Sequence, residues 1–174
     1  MNNVLRLLTM FVVAAPVLAA EVTRSGFVVR YELAIAAPAA KVYESLLNVG
    51  SWWSEKHTYS GDSRNLSLDA RAGGCFCEKL ANGAVEHMRV VYLKQDEALR
   101  LRGALGPLQA SGVAGAMTWR LSGAEKGTRL ELTYSVGGFM PGGFEKIAPA
   151  VEAMVKEQAD RLKRFVETGA PTSP

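Results

Sequence analysis

The chain has 174 residues, is 48% hydrophobic and carries a formal net charge of +3 at pH 7. So small a charge excludes the clustered basic face of a nucleic-acid-binding domain, and we predict no nucleic-acid partner. Beyond residue 20 the chain has the length of one domain that buries about two thirds of its unfolded surface. It contains no internal repeat and no linker.

Residues 1–20 have the composition of a secretory signal peptide. Arg6 and the free amine form a modest positive region, the segment from Leu7 to Leu18 is apolar, and small residues follow it. The apolar run is too short to span a bilayer about 30 Å thick comfortably, so an uncleaved anchor is the weaker alternative. We predict cleavage after Ala19 or Ala20 and a periplasmic or secreted protein without stable membrane insertion.

The predicted domain covers residues 21–169, and residues 170–174 form a frayed tail. Its first strand spans Phe27–Ala36, a short helix begins at Ala37-Pro38, and a second short turn or helix begins at Trp52-Trp53. Six further strands are separated by turns that contain glycine or polar residues, as in hairpins. These strands are Leu66–Ala70, Cys75–Leu80, Val85–Leu93, Ala98–Gly103, Val113–Ser122 and Thr128–Val136.

A long amphipathic helix is predicted from Phe144 to Thr168. Its apolar residues recur at helical spacing and form one stripe, while three i,i+4 pairs of opposite charge lie on the other face. Only this helix is long enough to cover the apolar face of the strands. We therefore predict an α+β fold: a curved antiparallel sheet of about seven strands wraps on the C-terminal helix and leaves a cavity. The charged pairs are Glu152–Lys156, Glu157–Arg161 and Asp160–Arg164.

One predicted hairpin brings a carboxylate to a histidine. Asn82-Gly83 favours a type I′ turn, and that register places Glu78 opposite His87. A carboxylate beside an imidazole orients it and raises its basicity, as acid–base catalysis requires. The register of the next hairpin is ambiguous, and a shift of one residue inverts the faces. It decides whether Phe76, Glu78, His87 and Arg89 face the core or the solvent.

Cys75 and Cys77 lie two residues apart in a predicted strand. Alternate Cα atoms of an extended strand are separated by about 6.5–7 Å, the upper limit for a disulfide. An exported protein favours disulfide formation, whereas this spacing opposes it. The sequence leaves both the disulfide and two packed thiols open.

Several segments together resemble the START-like superfamily, also called SRPBCC, which has the helix-grip fold and includes the polyketide cyclase/dehydrase group. Within it the chain is most similar to the branch of heat-shock-protein ATPase activators. The resemblance covers nearly all of the predicted mature chain, but such folds host many unrelated functions. It rests on the segments IAAPAAKVYESLLNVGSWW, GGCFCEKL, VEHMRVVYL, RLRGALGPLQ, MTWRLS and GTRLELTYSVGG and on the terminal helix.

The resemblance implies an apolar pocket between the sheet and the long helix. Gln158 falls within the apolar stripe, where it either faces a ligand or is a core glutamine bonded to backbone. Two apolar, glycine-rich loops, residues 103–109 and 137–143, are candidates to gate the pocket. The predicted ligand-binding residues are Trp53, His57, Phe76, Met117, Trp119, Leu132, Tyr134, Met154 and Gln158.

Three functions are compatible with these features. The first is the binding of a small hydrophobic or amphipathic molecule in the cell envelope, and we favour it. The second is an enzyme of the cyclase, dehydratase or lyase type that uses Glu78 and His87 for proton transfer. The third is docking on an ATPase, which the predicted export opposes. The chain has neither a nucleophile elbow nor a Walker-type loop.

A zinc site is the remaining alternative. His57, Glu78 and His87 carry ligand atoms that zinc accepts, and a cysteine would complete the set. These residues come from distant segments that lack a short motif of paired ligands, so we predict no metal and no cofactor. The oligomeric state is not encoded in any pattern that we recognise.

Overall fold

A computed structural model describes residues 20–172. Eight antiparallel strands form one sheet in the order β1-β2-β8-β7-β6-β5-β4-β3. Within the described range, neither helix combines the length and the apolar character needed to cross a bilayer. The strands are β1 Glu21–Thr23, β2 Gly26–Ile35, β3 Leu66–Leu68, β4 Cys75–Leu80, β5 Gly83–Lys94, β6 Ala98–Arg102, β7 Gly112–Ala124 and β8 Gly127–Phe139, and the helices are α1 Ala39–Leu47 and α2 Ala148–Thr168.

The predicted α+β helix-grip fold is confirmed, with differences at its ends. The sheet has an additional short edge strand, β1, and the second predicted helix is replaced by short 3-10 turns. Helix α2 begins at Ala148, with a proline in its first turn, and not at Phe144 as predicted. Phe144 is fully buried and packs edge-on against Phe27 at 5.8 Å between ring centroids. The predicted signal peptide and the last two residues lie outside the described residues, apart from Ala20.

Helix α2 packs its apolar stripe into the same core as the inner face of the sheet. The three predicted ion pairs along its other side are not formed among the described residues, and several of the charged side chains bond partners outside the helix. Asp160 accepts a hydrogen bond from Tyr31 Oη at 2.9 Å, and Arg161 Nε donates to the Trp52 carbonyl at 2.8 Å. The polar side of α2 therefore connects the helix to β2 and to the segment after α1. The buried residues of α2 are Ala148, Val151, Val155, Gln158, Ala159, Leu162 and Val166.

The hairpin between β4 and β5 differs from the predicted register. Leu80 pairs with Gly83, so Ala81 and Asn82 occupy the turn in place of Asn82-Gly83. Opposite Cys77 the pairing shifts by one residue, and His87 becomes the additional residue of a β-bulge. A bulge reverses the alternation of side chains locally, so His87 and Met88 are both buried on the inner face.

The bulge resolves the ambiguity about the two faces of the sheet. Phe76 and Glu78 are buried on the inner face together with His87. Arg89 is exposed on the outer face, where it forms an ion pair with Glu86. The predicted proximity of Glu78 and His87 is therefore confirmed, although the register that predicted it is wrong.

Cys75 and Cys77 form a disulfide, and their Cα atoms are 5.4 Å apart. That separation lies within the usual range for disulfides and below the one expected of a regular extended strand. The shorter separation coincides with the bulge opposite Cys77, where the ladder is irregular. Of the two alternatives that the sequence leaves open, the structure has the disulfide.

Candidate ligand site

A cavity of about 530 Å³ lies between the segment after α1, the inner ends of β4 and β5, the loop after β6 and the first half of α2. Ligand pockets in proteins typically have volumes of about 300–1,000 Å³ and are lined mainly by apolar side chains. The lining residues are Trp53, Lys56, His57, Thr58, Tyr59, Phe76, His87, Leu105, Gly106, Pro107, Ile147, Ala150, Val151 and Met154.

The structure brings several predicted site residues together on this wall. Trp53, His57, Phe76 and Met154 line the cavity, and so does His87. The predicted residues Met117, Trp119, Leu132 and Tyr134 are buried in the core and do not line it. Their side chains pack in the hydrophobic core between the sheet and the helices.

Trp53 and Phe76 form the inner wall of the cavity. Their rings pack edge to face with centroids 5.4 Å apart. Both side chains also border a separate apolar void of about 20 Å³ that is lined in part by Met117 and Trp119. The ring centroid of Trp52 lies 6.0 Å from that of Trp119. The side chain that packs against Trp119 is therefore Trp52, where the prediction placed a ligand.

Helix α2 holds the segment that carries Trp53. The side-chain oxygen of Gln158 accepts a hydrogen bond from the backbone N–H of Ser54 at 2.8 Å, and Gln158 is almost fully buried. Gln158 is therefore a core glutamine bonded to backbone, and it does not line the cavity. The guanidinium of Arg161 donates to the carbonyls of Trp52 and Trp53 from the same helix.

The predicted site residues leave out much of the wall, including Tyr59 and Ala150. Tyr59 lies in a segment without periodic patterning, so no sequence signal indicated its direction. Ala150 lies one helical position from the predicted stripe. Of the two loops predicted to gate the pocket, residues 105–107 of the first line it, whereas no residue of the second does.

Glu78 is fully buried and accepts three hydrogen bonds. The backbone N–H groups of Tyr59 and Ser60 donate to its two oxygens at 3.0 Å and 2.5 Å, and His87 Nε2 lies 2.9 Å from Oε2. Burial acts to raise the pKa of Glu78, but the hydrogen bonds from Ser60, Tyr59 and His87 together lower the pKa below its ordinary value. The carboxyl group is therefore ionised at neutral pH.

His87 lies beside the cavity with little exposure to solvent. Burial lowers the pKa of its imidazole below the ordinary value and outweighs the opposing attraction of Glu78. The ring packs between Phe76 and Tyr59, with centroid distances of 5.0 Å and 5.9 Å. The structure therefore presents a neutral imidazole to the cavity, supported from behind by a carboxylate.

The other histidine lies apart from this pair. His57 Nε2 is 3.1 Å from Glu157 Oε2, and the imidazole is about one-third exposed at the edge of the cavity. The cysteines are joined in a disulfide, which removes the thiolates that a metal would bind. Among residues 20–172, no group of three or more histidine, cysteine, aspartate or glutamate side chains is arranged to hold a metal ion.

An open antiparallel sheet that wraps on a long C-terminal helix, with a cavity between them, defines the helix-grip class. Residues 26–167 match the family described as polyketide cyclase / dehydrase and lipid transport, and the chain belongs to this family. The predicted membership of the START-like superfamily is thereby confirmed. A search of curated proteins finds no match.

Solved structures share the fold at low sequence identity. A conserved protein of unknown function from Enterococcus faecalis has a TM-score of 0.63 and 17% identity, over 90% of this chain and 81% of that one. The Aha1 dimer from Colwellia psychrerythraea has a TM-score of 0.60 and 17% identity, over 82% and 97%. A protein from Mesorhizobium loti has a TM-score of 0.58 and 16% identity, over 80% and 96%. Such identities establish a common fold and no common activity.

The buried pair makes the folded state sensitive to acid. The pKa values of both groups are lowered in the folded protein, so the unfolded chain takes up protons first as the pH falls. For His87 the loss of stability begins below the ordinary value of 6.5, and for Glu78 it begins below 4.5. Between about pH 6.5 and pH 5, we expect His87 to reduce the free energy of unfolding by at most about 1.4 kcal/mol per pH unit.

Urea unfolding at a series of pH values measures this effect. His87→Gln should remove the contribution between about pH 6.5 and pH 5, while His57→Gln should retain it because His87 is intact. An unchanged pH dependence in His87→Gln would contradict the assignment of the effect to His87.

Proposed function

We propose that the protein binds a small hydrophobic or amphipathic molecule in the cavity between the sheet and α2. The observation that carries the proposal is the preformed cavity of about 530 Å³, whose wall is mostly apolar and includes few polar groups. The family description, which includes lipid transport, is consistent with such a ligand.

The distribution of polar groups supports an amphipathic ligand in particular. Lys56 and His57 lie on the wall with exposed or partly exposed side chains, while Phe76, Val151 and Met154 provide apolar surface. Each polar group that a ligand removes from water must regain a hydrogen bond, whereas apolar surface gains by burial. A molecule with an apolar body and one or two polar groups matches this wall best.

Native mass spectrometry of protein purified gently from its own host tests the proposal directly. We expect a discrete bound mass of a few hundred daltons, on the scale of a ligand that fits such a pocket. The purified protein should also bind the neutral fluorescent probe N-phenyl-1-naphthylamine. Protein that carries no bound molecule and does not bind the probe would contradict the proposal.

Two substitutions on α2 form a matched pair for the binding measurement. Ala150 and Ala153 are both exposed on this helix, but only Ala150 borders the cavity. Ala150→Trp should fill part of the cavity and weaken binding of the probe at least about tenfold, which corresponds to 1.4 kcal/mol. Ala153→Trp should bind the probe as the wild type does. Equal binding by both variants would place the ligand elsewhere.

A second candidate function is proton transfer on the bound molecule, in a cyclase, dehydratase or lyase reaction. It is favoured by one observation: Glu78 and His87 are buried, lie 2.9 Å apart and adjoin the cavity. A neutral imidazole supported by a carboxylate has the arrangement of a general base.

Incubation of the captured molecule with the protein in D₂O distinguishes the two functions. An enzyme of this type should introduce deuterium at carbon in the captured molecule or change its mass, and His87→Gln should lose that activity at least about a hundredfold. A molecule that is bound but not altered supports the binding function alone.

We also propose that the protein acts in the cell envelope. The composition of residues 1–20 supports export, and so does the disulfide between Cys75 and Cys77, because disulfides persist in oxidising compartments. N-terminal sequencing of protein from the envelope fraction should begin at Ala20 or Glu21. Protein that begins at Met1 in the cytoplasm, with both cysteines reduced, would contradict this location.

A further inference from the structure

The hydrogen bonds of Glu78 determine which nitrogen of His87 carries the proton. Both carboxylate oxygens already accept backbone N–H groups, and Oε2 also faces His87 Nε2 at 2.9 Å. An ionised carboxylate only accepts hydrogen bonds, so a neutral imidazole beside it must be protonated on Nε2. The second nitrogen, Nδ1, then holds a lone pair and acts as an acceptor.

No protein group supplies a donor to this lone pair within residues 20–172. Two donors of the adjoining loop bond elsewhere, and Lys56, which also lines the cavity, forms no hydrogen bond with His87: the Thr58 hydroxyl donates to the Glu55 carbonyl at 2.7 Å, and the Tyr59 hydroxyl donates to the Gly106 carbonyl at 3.1 Å. The N–H groups of Tyr59 and Ser60 donate to Glu78. Nδ1 therefore depends on water or on a bound molecule.

A bound molecule changes which partner is available to Nδ1. The rings of Phe76 and Tyr59 flank the imidazole of His87, so an apolar ligand that enters the cavity displaces water from beside it. A purely apolar ligand leaves Nδ1 without a partner, which is unfavourable for a buried acceptor. A ligand with a donor of its own restores the hydrogen bond.

We infer that the cavity selects a hydrophobic molecule that bears a hydrogen-bond donor, a hydroxyl or an N–H group, and that this group donates to Nδ1 of His87. The apolar body of the molecule lies against Phe76 and Met154. This inference rests on the proposed binding function and names the chemical class of its ligand. Glu78 is then a positioning residue, because it acts on the ligand only through the protonation state of His87.

The first test is the tautomer of His87, measured by long-range ¹H–¹⁵N NMR at pH 7.5. The chain has two histidines, so the His57→Gln variant leaves His87 as the only source of imidazole signals. We expect the neutral form protonated on Nε2. A neutral form protonated on Nδ1, or a fully charged imidazole, would overturn the inference.

The second test compares three probes of similar size: 2-naphthol, 2-methoxynaphthalene and naphthalene. Only 2-naphthol donates a hydrogen bond, and it is the most polar of the three, so hydrophobicity alone favours the other two. We expect 2-naphthol to bind about tenfold more tightly than 2-methoxynaphthalene, and its addition to shift the Nδ1 resonance. Equal or weaker binding of 2-naphthol would overturn the inference.

Substitution of Glu78 supplies a readout that loss of packing does not produce. In Glu78→Gln, an amide oxygen in the position of Oε2 accepts from Tyr59 and from His87, which keeps the imidazole proton on Nε2. The preference for 2-naphthol should therefore be retained in this variant, whereas Glu78→Leu, which offers His87 no acceptor, should lose the preference and the single Nε2-protonated form. Glu86→Gln, on the exposed outer face of β5, should retain the wild-type preference.

The outcomes separate this inference from the function on which it rests. Binding of all three probes without discrimination overturns the inference and leaves the proposed binding function intact. Failure of every probe to bind, together with an unoccupied protein in native mass spectrometry, overturns the binding function and the inference with it.

Discussion

The carboxylate of Glu78 connects three parts of the molecule. It lies on β4, accepts two backbone N–H groups from the loop that contains Tyr59 and Ser60, and accepts a third hydrogen bond from His87 on β5. A buried carboxylate is unfavourable unless its oxygens are paired, so each of these contacts stabilises the burial of the group that the others also hold. The floor of the cavity, its loop wall and the orientation of its histidine all depend on this one group.

Helix α2 provides the second constraint on the cavity. Gln158 and Arg161 bond the backbone of residues 52–54, and this fixes Trp53 between the helix and the sheet. The same helix contributes Val151 and Met154 to the wall directly. The long helix therefore acts as a lining element and as the support for the opposite wall, which explains why the cavity lies at its first half.

The sequence predicts the fold well because the fold depends on periodic patterns. The apolar stripe of α2 and the alternation in β7 and β8 specify which faces are buried, and the structure has those faces. The hairpin register was wrong because the strong turn signal of Asn82-Gly83 is overridden by the bulge at His87, which requires one additional residue. A bulge has no periodicity of its own, so local patterning does not reveal it.

The site was predicted only in part, and there is a physical reason why some of its residues could be predicted and others could not. Met154 lies on α2, whose apolar stripe is predictable, and it lines the cavity. Phe76 and His87 also line it, but their inward direction, which the sequence left open, is set by the pairing of β4 with β5. Tyr59 and Leu105 lie in loops that are fixed by tertiary hydrogen bonds, so the sequence indicated the loop of Leu105 as a candidate gate but named neither residue as a ligand contact. Met117, Trp119, Leu132 and Tyr134 do face inward, but they are packed within the core, where the ring of Trp52 lies against that of Trp119.

The disulfide has a consequence for the pairing of β4 with β5. Cys75 and Cys77 close a small covalent ring that includes the backbone of Phe76, and the Cα separation of 5.4 Å in that ring is shorter than about 6.5–7 Å, the separation in a regular strand. The ring lies where the ladder shifts by one residue, and beyond the shift Met88 pairs with Phe76 and is buried. A covalent link of three residues thus shares its place with the irregularity that brings a second consecutive residue of β5 into the core.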